Sequence, residues 1–98
     1  MATRHYRQGD LLIVEVSEIP AEATMAATNI LAEGEITGHA HRIVGGDVLT
    51  LDEEKYLAVQ EAARVMHEEH HTITLPPGLY RVRRQREYAP QGIRRVLD

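Results

Sequence analysis

Apolar and polar residues alternate along much of this chain with a period of two, the spacing of a half-buried strand. Leu11–Val16 (LLIVEV) follows the turn signal Gly9-Asp10 and is β-branched and apolar; it predicts a strand that ends before Pro20. Asn29–Ala32 (NILA) predicts a short strand running into Gly34. Gly45-Gly46-Asp47 reads as a tight turn before a third strand, Val48–Leu51. Ile73–Leu75 predicts a fourth, closed by Pro76-Pro77-Gly78. Leu79–Tyr88 alternates in its first half, with Tyr80 and Val82 on one face and Arg81 and Arg83 on the other. Residues 20–27 read as loop.

Asp52–His71 supports two readings. Its Glu, Ala, Leu and Gln content suits a helix, with Asp52, Glu53 and Glu54 at the N-terminus and Tyr56, Val59, Ala63 and Met66 on one face. The competing reading is a hairpin of two strands, KYLAV and ARVMH, around a QEAA turn. The strand-rich neighbourhood favours the hairpin, and a short helix within 52–66 stays open. The fold predicted is all-β: one small domain over residues 1–88, a barrel or a sandwich, with 89–98 as a C-terminal tail carrying Pro90 and Gly92.

Composition narrows the chemistry. The chain of 98 residues has no Cys, so disulfides, thiolate metal sites and cysteine nucleophiles are excluded. It has no Trp and no Phe, so the core falls to aliphatic residues and tyrosines. No apolar run approaches the roughly 20 residues of a membrane-spanning helix, and MATRHYRQGD lacks a signal-peptide core. A soluble cytoplasmic protein with no membrane partner is expected. The net charge of −4 hides an asymmetry: an acidic body is followed, from residue 81, by a segment with six Arg against Glu87 and Asp98. A small core and exposed strand edges make a homo-oligomer the expected assembly.

Five of the six histidines fall into two groups, His39 with His41, and His67 with His70 and His71. In a strand, positions i and i+2 share a face, so His39 and His41 present two imidazoles side by side. Either His67 or His70 from the second group can complete a site, with Glu35 or Glu68 as fourth ligand, orienter or base. Imidazole and carboxylate suit a divalent transition metal, Zn, Fe, Mn or Ni. The letters HEEHH at 67–71 also match HExxH, which would make His67 and His71 zinc ligands and Glu68 the general base of a metallohydrolase. That needs a stable helix, and Thr72-Ile73-Thr74 followed by two prolines leaves little room for one. The predicted function is therefore metal binding through His39, His41, His67 and His70, with no reaction implied.

Two likenesses bear on this. GEITGHAH, with its Gly-rich lead into HxH, and a later His near a Pro-Gly turn resemble the metal-site logic of cupin barrels. The carboxylate that cupins place shortly after HxH is missing, and the later His precedes the PPG turn instead of following it. The chain as a whole resembles a group of short bacterial and phage proteins with no assigned activity. The shared motifs stand here as Gly9–Leu12 (GDLL), Gly34–His41 (GEITGHAH), His67–His70 (HEEH) and Leu75–Tyr88 (LPPGLYRVRRQREY). That resemblance favours His67 and His70 over His71.

The second function class rests on arginine. Arg81, Arg83, Arg84 and Arg86, with Tyr88 to stack on a base, form the densest basic patch. They predict a non-enzymatic accessory protein that docks an RNA or a protein partner. The competing reading is an edge strand whose arginines pair with the acidic body.

Overall fold

The computed structural model describes residues 3–34 and 38–84. Ten strands follow one another with no helix among the described residues. They are β1 (His5–Gln8), β2 (Leu11–Val16), β3 (Thr24–Met25), β4 (Ile30–Glu33), β5 (Ala40–Val44), β6 (Asp47–Leu51), β7 (Glu54–Val59), β8 (Ala63–His67), β9 (His70–Leu75) and β10 (Gly78–Arg84). All pairings are antiparallel. One sheet has the order β1-β2-β10-β7-β6-β3 and the other β4-β5-β8-β9. The fold is all-β as predicted, and it is two sheets on a shared core, not a closed barrel.

Alternation explains the core. Leu11 and Ile13 of β2, Leu57 and Val59 of β7, and Tyr80 and Val82 of β10 are buried from the first sheet. Leu31 of β4, Ile43 of β5, Ala63 and Val65 of β8, and Leu75 of β9 meet them from the second, in one continuous cluster. Tyr80 has no exposed surface; its hydroxyl donates to the Pro76 carbonyl at 2.6 Å, and its ring meets Tyr6 edge-on at 6.2 Å. A fully buried tyrosine needs such a partner for its hydroxyl.

Three expectations are corrected. No helix forms within 52–66. Asp52 and Glu53 make the two-residue turn between β6 and β7, with Leu51 paired to Glu54 and Asp52 in a left-handed conformation (φ 55°) that Asp tolerates. The strands KYLAV and ARVMH exist, but they are not a hairpin. β7 pairs with β6 and β10, whereas β8 pairs with β5 and β9, so Gln60-Glu61-Ala62 carries the chain from one sheet to the other. Gly45-Gly46 makes a second crossing, from β5 to β6. There Gly45 (φ 96°) lies so close to the first crossing that a Cβ would sit 2.8 Å from the Ala62 carbonyl oxygen. Local propensity favoured a helix, but each of the two strands has an apolar alternate face, and burying both against opposite sheets outweighs it.

The third correction lies within residues 20–27, read as loop, where Thr24 and Met25 pair with Thr50 and Leu49 of β6 as β3. β1 carries the polar sequence HYRQ, which has no apolar alternation to announce it. It pairs with β2 from His5↔Val14 to Gln8↔Leu11, leaving Gly9-Asp10 as a two-residue turn with Gly9 at φ 60°. Glycine at the first position with positive φ is the type II′ arrangement, whose twist matches that of paired strands.

Candidate metal centre

The β8–β9 hairpin builds half of the site. His67 and His70 are register partners across the tight turn Glu68-Glu69, and their rings lie 4.6 Å apart. Val65 pairs with Ile73, so one residue of β9 is extra between the two pairs. That bulge reverses the alternation of β9. Simple alternation back from Ile73 would put His71 on the inner face, and the extra residue puts His70 there instead. His71 serves through its backbone: its carbonyl accepts a hydrogen bond from the Gln8 side chain at 2.7 Å.

β5 builds the other half. His41 lies on the same strand face as Ile43 and is 4% exposed. Its ring stands 4.4 Å from His67 and is parallel to His70 at 6.1 Å. His39, just ahead of β5, meets His67 edge-on at 5.8 Å and places Nδ1 3.5 Å from Glu69 Oε2. All four predicted histidines therefore come together, with His67 between the two from the β5 side. His39, His67 and Glu68 each offer a ligand atom, and those atoms lie within 4.8 Å of one another. Glu35 lies outside the described residues.

Glu68 is already engaged. One carboxylate oxygen accepts the Ala40 N–H at 3.0 Å and the other accepts from Arg42 at 3.0 Å. The Ala40 N–H, and then Arg42, hold its carboxyl well down, at about 2. A carboxylate so acidic is a poor general base near neutral pH. The HExxH reading meets a second obstacle in the backbone. Residues 67–71 are the end of one strand, a turn and the start of another, so His67 and His71 are not one helical turn apart.

Two residues that the histidine pattern does not announce face His41. Gln8 is 3% exposed, and its Oε1 lies 2.8 Å from His41 Nδ1. Its amide nitrogen donates to the carbonyls of Val65, at 3.0 Å, and His71. On the other edge of the ring, His41 Nε2 is 3.5 Å from Asp10 Oδ1. Asp10 Oδ2 accepts from Arg84 Nε at 2.9 Å. Burial lowers the His41 pKa, and the neighbouring His67 lowers it further, against the opposing pull of Asp10. Burial raises the Asp10 carboxyl, but its hydrogen bond and charge interaction with Arg84 outweigh that and leave it below its ordinary value. The pair is thus biased toward a neutral imidazole beside a carboxylate. Gln8 and Asp10 went unrecognised because they lie outside the histidine runs; the one signal was Gly9-Asp10, which reads as turn chemistry alone.

The arginine strand divides. Arg81 lies 3.6 Å from Glu54, and Arg84 is bonded to Asp10. Arg83 is exposed on the outer face of its sheet. Arg86 and Tyr88 lie outside the described residues, as does the predicted tail. No helix among the described residues is long and apolar enough to cross a membrane.

Fold and site define a small all-β domain with a His/His/Glu group able to hold a metal ion. The chain belongs to the family described as Domain of unknown function (DUF8820), whose model matches residues 7–85. Searches of the curated proteins and of the solved structures gave no match.

Proposed function

We propose that this domain binds a divalent transition metal through its clustered histidines, His39, His41, His67 and His70. The observation that carries the reading is the unbroken series of imidazole contacts, 4.4 to 6.1 Å between ring centres, drawn from β5, β8 and β9. The rings of His39, His41 and His70 each meet that of His67, and the β9 bulge is what turns His70 toward it. Imidazole with carboxylate suits zinc, iron, manganese or nickel. Such an ion supplies Lewis acidity and an activated water when a coordination position is left open. Glu68 fits as a ligand or orienter better than as a base, because both its oxygens already accept hydrogen bonds.

The test is elemental analysis by mass spectrometry on untagged protein, beside a His39→Ala/His41→Ala variant. About one equivalent of metal in the parent, lost in a folded variant, is the expected result. Equal metal in both, or none in either, overturns the reading.

A further inference from the structure

Alternation carries apolar residues along the inner face of the larger sheet, but not to both of its ends. Lys55 shares the inner face of β7 with Leu57 and Val59, and Arg84 shares that of β10 with Tyr80 and Val82. Val82 is the register partner of Lys55, and Leu11 of β2 is that of Arg84. The row that buries the core therefore ends in two cations on neighbouring strands. They line a cleft of about 520 Å³ between the sheets, opposite β4. Leu11, Leu31 and Val82, all buried, form its apolar wall. A cleft of this volume is in the range of small-molecule sites, about 300–1,000 Å³.

Both cations are held in place, and both keep donors to offer. Lys55 Nζ donates to the Ile30 and Leu31 carbonyls, at 3.4 and 3.1 Å. Successive carbonyls of a regular strand point to opposite edges, but β4 shifts register between Ile30 and Ala32, and both reach one ammonium. An ammonium carries three N–H donors, so a third is left, and two neutral carbonyls leave the charge uncompensated. Arg84 donates to Asp10 from Nε, which leaves the four N–H groups of its terminal nitrogens. Glu33 and Glu53 also line the cleft, but both are exposed, and neither forms an ion pair among the described residues. The cations thus lie along the core row and the carboxylates at the solvent side.

We propose that this cleft binds a small organic monoanion, its carboxylate held by Lys55 and Arg84 and its apolar body against Leu11, Leu31 and Val82. Lys55 and Arg84 are diagonal neighbours on one sheet face, about 7–8 Å apart at the backbone. Their long side chains can close that span on a single carboxylate. Hydrogen bonds from charged donors are the strong ones, and the guanidinium fork suits a carboxylate. The apolar wall adds affinity in proportion to the area it covers. Glu33 and Glu53 repel a second negative charge, so a monocarboxylate suits the cleft better than phosphate does. The site is separate from the candidate metal centre: among the described residues, no histidine lines it.

Untagged full-length protein, labelled with ¹³C at Leu and Val methyls and kept in chelator, is titrated at constant ionic strength with hexanoate, hexanol, hexylammonium and phosphate. Hexanoate should shift the methyl signals of Leu11, Leu31 and Val82 saturably and leave Leu75, at the far side of the core, unmoved. Hexanol, which lacks the charge, should bind about tenfold more weakly or less, and so should hexylammonium and phosphate. Lys55→Gln should weaken hexanoate by about tenfold or more, the scale of one hydrogen bond to a charged group. No saturable shift with hexanoate overturns the proposal, as a cleft covered by another part of the chain would do. Equal binding of any of the other three probes, or of hexanoate to Lys55→Gln, overturns it too. A measurement on wild type holds even if the variant fails to fold. The ¹⁵N signals of Lys55 Nζ and Arg84 Nε should move with hexanoate along the same curve as the methyls, and stationary signals overturn the proposal. Every arm is run without metal, so none of these outcomes bears on the histidine reading.

Discussion

Gln8 offers the sharpest test of how the two sheets are joined. It ends β1 in the first sheet, yet its side chain bonds Val65 of β8, His71 of β9 and His41 of β5, all in the second. Leucine has nearly the same volume and no hydrogen-bonding group, so Gln8→Leu deletes three contacts without opening a large cavity. At about 0.5–1.5 kcal/mol net for each hydrogen bond, the loss is about 3 kcal/mol. That is about a fifth to three-fifths of the stability of an ordinary domain, about 5–15 kcal/mol. For a chain of this size the melting temperature should fall by roughly 12–24 °C, taking about 4–8 °C for each kcal/mol. The assay is urea and thermal unfolding by circular dichroism in excess chelator, so that metal affinity plays no part. Gln8→Glu should fare no better, because its carboxylate would face the two carbonyls that the amide now serves. A loss under about 1 kcal/mol for Gln8→Leu would refute the claim that this side chain ties the sheets together.

Three further outcomes follow from the same geometry. Gly9→Ala should cost about 1–2 kcal/mol through its positive φ, and should weaken Zn²⁺ binding because the new Cβ displaces His70; calorimetry with Zn²⁺, beside urea unfolding, separates the two effects, and unchanged affinity would argue against His70 as a ligand. In chelator, the burial-lowered pKa of His41 makes the unfolded chain the better proton acceptor below the ordinary value of 6.5. The stability it confers is complete above that pH and is lost as pH falls through the folded pKa, so thermal midpoints should drop on acidification, and His41→Asn should flatten the drop; an identical slope in the variant would count against it. Tyr80→Phe should cost about 1 kcal/mol in urea unfolding for the lost bond to the Pro76 carbonyl, with no change in Zn²⁺ affinity.

The strands that carry one apolar face, β2 and β10 above all, were legible because burial of that face dictates their alternation. β1 was not, since His5, Tyr6, Arg7 and Gln8 gain their places from pairing with β2 and from side-chain hydrogen bonds that no periodicity records. The partition of β7 and β8 between two sheets was equally hidden: alternation gives a strand its inner face but not its neighbour. In the site, His39, His41 and His67 stood out by spacing. Which of His70 and His71 faces His67 turns on a one-residue bulge, which alternation alone gets backwards. Glu68 looked like a base in the sequence. The Ala40 N–H and Arg42 that occupy its two oxygens become its neighbours only when β5 pairs with β8.

The order of strands has a consequence for how this chain is made. β10 comes last among the described strands, yet it lies between β2 and β7 in the interior of the larger sheet. As the chain leaves the ribosome, β2 and β7 each present an open edge to solvent until residues 78–84 emerge to join them. Every β10 pairing with β2 spans more than 60 residues of sequence. Closure of so distant a pair is slow compared with local contacts. Nascent chains halted before Gly78 should therefore be prone to edge-to-edge association, and a chaperone that binds extended segments would find its target there.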